Sequence, residues 1–227
     1  MVFLVIVAHP DDEILGFGGS CYTLSKAGHE VYSLILCGGV LKRKLRPTDE
    51  ELYSDVRAAC NIVGYKDVVL EAFPNLALNN LPESDIVECV ESYIKKISPN
   101  YVYTHHMNDL NIDHRIISKA VLAACRIFQR LNDNSPLLGV YYIYILSSTD
   151  WSFASHADSF QENHFIEIGS DGLEKKLMAL NEYRKVMRTY PHPRSHESVK
   201  SLSILAGSKS GLNYAESFEV ALNIFAK

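Results

Sequence analysis

Apolar residues recur along this chain in two alternating rhythms. Short, mainly apolar runs at 1–7, 31–37, 67–73 and 101–104 are rich in β-branched and aromatic side chains, the signature of strands. Between them, over 14–27, 50–63, 84–97 and 116–130, the apolar positions fall at helical spacing. Gly28 and Gly64 are expected to close the first two helices, and Ser84 to cap the third, which Ser98-Pro99 stops. Regular strand–helix alternation predicts an α/β fold with a mostly parallel sheet flanked by helices. Past residue 130 the rhythm loosens. Strands are expected at 139–146 and 165–168, and helices at 173–187 and 214–226, with 190–196 as a Pro-flanked loop. No repeat, low-complexity tract or linker divides the chain, so residues 1–227 are read as one domain.

Charge and imidazole collect at two strand-to-helix turns. The first is Ala8-His9-Pro10-Asp11-Asp12-Glu13, and the second runs from His105-His106 through Asp109, Asn111 and Asp113 to His114-Arg115. A parallel sheet brings both to its carboxyl edge, where open α/β sheets bind ligands. His9, Asp12 and His114 then offer two nitrogens and one oxygen, a set that suits a catalytic metal with one open position. Zinc is the natural candidate, with another divalent metal allowed; it would lower the pKa of a bound water toward about 7. Asp11, beside a ligand, is placed to take that water's proton, and Asp113 to orient a histidine or assist the transfer. Other readings stand beside these. The first cluster also suits an acidic helix cap, and Glu13 a helix N-terminus. His106, Asp109 and His192 are candidate acids, yet His105 and His106 also read as surface residues, Asp109 as a turn cap, and His192 and His196 as exposed loop residues. Gly16-Phe17-Gly18-Gly19 fails as a dinucleotide fingerprint, because the third glycine position falls on Cys21; small residues packing a helix against the sheet explain it better.

Composition changes this picture little. With 227 residues, 47% hydrophobic and 22% charged, the chain can bury a sizeable core. Its net charge is −5, and the basic run Lys42-Arg43-Lys44-Leu45-Arg46 is too short for a nucleic-acid surface, though it can meet an anionic substrate group. Five cysteines at 21, 37, 60, 89 and 125 show no CxxC spacing and fit a reducing compartment. The N-terminal run is too short to span a membrane and lacks a basic leader, so a cytoplasmic protein is expected.

Together, Ala8-His9-Pro10-Asp11-Asp12-Glu13 and Asp109-Leu110-Asn111-Ile112-Asp113-His114-Arg115 resemble the LmbE-like or PIG-L family of zinc-dependent N-deacetylases. The similarity extends through Gly18-Gly19 and Gly28-His29-Glu30-Val31 to Gly207-Ser208 and Tyr214-Ala215-Glu216-Ser217-Phe218. It implies a Rossmann-like fold and removal of acetyl from a small-molecule N-acetyl amino sugar, usually N-acetylglucosamine on another moiety. It also implies zinc on His9, Asp12 and His114, with Asp11 as general base. Assembly into a homo-oligomer is left open. Two departures stand out: Asn111 occupies the place of a histidine that serves many relatives as acid or oxyanion stabiliser, and Leu52 and Asp55 replace an Arg and its acidic companion. The remaining options are the same site acting on another acyl or carbamoyl group, or a sugar- or metal-binding module without turnover.

Overall fold

The N-terminal apolar run becomes β1 (Val2–Val7), buried over its last five residues and central in a seven-stranded sheet. The computed structural model describes residues 1–39, 47–130, 137–152 and 159–225; the basic run 42–46 lies outside them. β2 (Glu30–Ile35), β3 (Asp67–Leu70), β4 (Tyr101–His105) and β5 (Gly139–Ile143) join β1 in parallel, in the order β3-β2-β1-β4-β5. β7 (Ala215–Asn223) continues the sheet antiparallel to β5, and β6 (His164–Glu167) forms the edge, antiparallel to β7. This is the α/β, mostly parallel architecture that the alternation predicts.

Helices cover both faces. On one, α1 (Asp12–Lys26) packs with α2 (Asp49–Val63) and α5 (Gly169–Glu182); on the other, α3 (Glu83–Ile97) packs with α4 (Ile112–Gln129). Phe17, Val56, Ile143 and Phe218 belong to the first core, and Leu4, Ile86, Val121 and Phe128 to the second. Because the strand order reverses at β1 and β4, the helices leaving these neighbours go to opposite faces. A crevice opens between them at the carboxyl edge. Both polar turns stand there. Among the described residues, no helix is long and apolar enough to cross a membrane.

Gly28 and Gly64 close α1 and α2 in the left-handed region, at φ 84 and 89. The glycines of α1 serve packing: a Cβ on Gly16 would stand 2.7 Å from Ile143, and one on Gly19 2.8 Å from Ile168. Helix α1 also carries a buried ion pair against its backbone. Glu216 accepts from the N–H groups of Gly19 (3.0 Å) and Ser20 (2.8 Å), while Lys176 donates to the carbonyl of Leu15 (2.7 Å) and to Glu216 (2.6 Å).

Three expectations are corrected, and one further helix is found. The helix expected at 214–226 is not formed over its described residues, since Ala215–Asn223 is the strand β7, paired on both sides; residue 226 lies outside the described residues. Residues beyond His196 in the C-terminal part form α6 (His196–Ser210), capped by the Ser195 hydroxyl accepting from Ser198 N–H. The helix expected at 173–187 ends at Glu182, and α3 starts at Glu83, so Ser84 lies inside its first turn instead of capping it.

Candidate metal centre and active-site cavity

Asp12 is the first residue of α1, and His114 lies in the first turn of α4, so the two helices bring their N-termini to the crevice. His9 Nδ1 stands 3.2 Å from Asp12 Oδ2 and 3.2 Å from His114 Nε2, and His114 Nε2 stands 3.1 Å from Asp12 Oδ2. In a tetrahedral site, metal–ligand bonds of about 2.0–2.1 Å place ligand atoms about 3.3–3.4 Å apart. The three buried side chains therefore stand at the spacing of a shared cation.

Proton positions favour the same reading. His9 Nε2 lies 3.1 Å from Asp113 Oδ2, and His114 Nδ1 lies 3.2 Å from Asp109 Oδ1. An ionised carboxylate only accepts, so each outer nitrogen carries the N–H and each inner nitrogen of a neutral ring presents a lone pair. Two such lone pairs converge with an Asp12 oxygen, while Asp12 Oδ1 is buried without a hydrogen-bond partner among the described residues. A cluster of this kind needs a positive charge. Without a metal, a proton supplies it. Burial lowers His114, but Asp12 and Asp109 outweigh it and raise the imidazole to about 9. Burial also opposes the charged form of Asp12, yet His114 and His9 hold that carboxyl well below its usual range. The donor set fits a divalent metal.

The supporting carboxylates are crossed between the two turns. Asp113 serves His9 instead of its neighbour His114, and also accepts from the backbone N–H groups of Leu76 (2.6 Å) and Leu78 (3.4 Å). Asp109 serves His114 and accepts from Ser148 (2.9 Å) and Thr149 (2.7 Å); burial works against its charge, but His114 holds it at about 2. His105 stacks on His114 at 3.7 Å and accepts from the Ala8 N–H at 2.7 Å, which ties the ends of β1 and β4 together. A second cluster, His9, Cys37 and Asp113, shares His9, whose Nε2 Asp113 already holds; burial pushes the Cys37 thiol up and keeps it neutral.

Asp11 belongs to neither set. It precedes α1 at φ 108, and its side chain makes no cap hydrogen bond, which removes the helix-cap reading. Glu13 accepts from the Asp11 N–H (3.0 Å) and from the Tyr183 hydroxyl, while Arg194 donates from Nη1 to Asp11 Oδ2 (2.7 Å) and from Nε to Ser147 (3.0 Å). Burial pushes Glu13 up to about 8. Sequence reasoning missed Arg194 and Tyr183, since nothing local in 183–194 signals partners 183 and 170 residues away.

His9, Asp11 and Asn111 open onto a cavity of about 450 Å³, within the range of about 300–1,000 Å³ that ligand pockets occupy. His192 lines it too, whereas His106, Asp109 and Asp113 do not. His106 lies 3.4 Å from Glu219 and edge-on to Tyr142 and Phe160. Asn111 caps α4, its Oδ1 accepting from the Asp113 N–H at 2.9 Å, and the residue lines the cavity. Leu52 and Asp55 line the same cavity, as does Arg184, whose Nη1 stands 3.3 Å from Asp55.

A family model described as PIG-L: GlcNAc-PI de-N-acetylase matches residues 4–125. The chain is 29% identical over 130 residues to the uncharacterized deacetylase YaiS of Escherichia coli K12, covering 54% of this chain and 67% of that one. Its fold is similar to N,N'-diacetylchitobiose deacetylase from Pyrococcus horikoshii, with TM-score 0.76 and 19% identity over 96% of this chain and 83% of that one. It is similar as well to GalB, the 4-carboxy-2-hydroxymuconate hydratase of Pseudomonas putida KT2440, with TM-score 0.77 and 17% identity over 100% and 98%. The shared fold thus hosts more than one reaction, and the site has to decide between them.

Proposed function

The chain belongs to the PIG-L (GlcNAc-PI de-N-acetylase) family, and from that membership we propose that residues 1–227 form one deacetylase domain, cytoplasmic and metal-dependent, which hydrolyses the N-acetyl group of an amino sugar. His9, Asp12 and His114 would hold the metal, zinc in this reading. Bound there, it would polarise the amide carbonyl and acidify a water. Asp11, held against Arg194 at the cavity wall, takes the proton of the attacking water. As the C–N bond breaks, the same carboxyl returns that proton to the amine nitrogen, leaving acetate and a free amine. Asn111 cannot deliver a proton, but its NH₂ donates a hydrogen bond to the developing oxyanion. Asp113 and Asp109 act by fixing the two imidazoles, and His105 by bracing His114.

The observation that carries this reading is three converging lone pairs beside a carboxylate that caps no helix and completes no ligand set. Free cysteines at 21, 37, 60, 89 and 125 support a reducing compartment. The test is a panel of N-acetylglucosamine conjugates, with carbamoyl and longer acyl analogues, incubated with metal-loaded protein. Matching yields of acetate and primary amine are expected. Release of another acid in preference to acetate, or no release from any member, would remove the reading.

A further inference from the structure

The chain after α5 folds over the mouth of the cavity and turns back into α6. Lys185 bends it at φ 65, and the Arg188 N–H bonds the Arg194 carbonyl at 2.9 Å, closing a short basic lip. Outside this lip lies an open hollow of about 720 Å³, and Arg188 and His192 line both spaces. Met187, Thr189 and His196 complete the hollow's described lining, which holds no carboxylate. A wall of this kind is unexpected on a chain of net charge −5.

The three arginines of the lip differ in their partners. Arg194 is paired with Asp11, and Arg184 with Asp55 and Glu51. No carboxylate of the described residues lies within ion-pair distance of Arg188, which is exposed. His192 Nδ1 accepts from the Arg194 N–H at 3.0 Å, so its proton sits on Nε2, which is a donor. An unpaired guanidinium, a hydroxyl and an imidazole donor at one opening match the acceptor oxygens of a phosphate or carboxylate.

We propose that Arg188, Thr189 and His192 form a subsite for an anionic group carried by the substrate beyond its sugar ring. This rests on the deacetylase reading, with the acetamido group at Asp11 and the anion at the lip. The substrate class is then an N-acetyl amino sugar bearing phosphate or carboxylate, in preference to a neutral glycoside.

The test compares KM for N-acetylglucosamine 1-phosphate, a carboxylate-bearing glycoside of the same sugar, and the neutral methyl glycoside, in the wild type and in Arg188→Gln. At least one anionic substrate is expected to show a KM tenfold or more below that of the neutral one. Arg188→Gln should erase most of that preference, and added salt should weaken it in the wild type. Equal KM values for all three, or a preference that survives the substitution, would overturn the proposal. Should no substrate turn over, the deacetylase reading fails instead, and calorimetry with inorganic phosphate still decides the subsite. Binding to the wild type that weakens tenfold in Arg188→Gln supports it, and no binding to either sinks it.

Discussion

Asp11 adopts a backbone conformation that few aspartates do. At φ 108 it costs on the order of 1–3 kcal/mol and persists only because Glu13 grips its N–H and Arg194 its carboxylate. Strain held in place by these two partners, Glu13 buried and Arg194 partly so, keeps the carboxylate on the cavity wall. Replacing Asp11 with Asn preserves size and removes basicity, so kcat should fall about a hundredfold or more, the scale of a lost general base. Bound metal, counted by elemental analysis, should stay at the wild-type level, because Asp11 is not a ligand in this arrangement. Wild-type turnover in the variant would show that the proton goes elsewhere. Asn111→Ala removes a different contribution, the hydrogen bond to the oxyanion, and should lower kcat about a hundredfold with KM changed much less. A rise in KM alone would recast Asn111 as a residue that binds the ground state.

Among the elements, α1 matters most, because its first turn presents Asp12 and Glu13 while its middle is fixed from outside. The Lys176–Glu216 pair joins α5 and β7 to the Leu15 carbonyl and to the N–H groups of Gly19 and Ser20. Both side chains are nearly inaccessible, at 3% and 5% exposure, so removing one leaves a buried charge alone. Lys176→Met should therefore destabilise the protein by about 3–5 kcal/mol in urea unfolding. The double variant Lys176→Met, Glu216→Gln should recover part of that loss. A single-variant loss under about 1 kcal/mol would mean the pair is not the clamp described. The sequence did not reveal this clamp. Lys176 reads as an ordinary polar position of an amphipathic helix, and Glu216 as part of a helix that turned out to be a strand.

For the whole molecule, the metal would join α1 to α4 across the crevice and so link the two faces of the sheet. A ligand that binds only the folded state stabilises it by about 2.7 kcal/mol when present at a hundred times its Kd. For a chain of this length, stripping the metal with a chelator should thus lower Tm by about 5–10 °C. Re-addition of zinc should restore it. Acidification should weaken metal binding, since both imidazoles must give up their inner protons to bind. Equal Tm values with and without metal would argue against a cation at His9, Asp12 and His114.

The sequence by itself determined the strand–helix alternation, the parallel sheet and the two turns that hold the site, because burial periodicity and turn chemistry are local and act within a few residues. It also brought His9, Asp12 and His114 to one sheet edge, since a parallel order leaves little choice about where strand ends gather. Tertiary structure decided what depends on contacts between distant segments. It crossed the supporting carboxylates, giving Asp113 to His9 and Asp109 to His114. It made residues 215–223 a strand, because two neighbours were there to satisfy its backbone. It also folded 183–194 over the cavity, which set Arg194 against Asp11 and left Arg188 facing the opening.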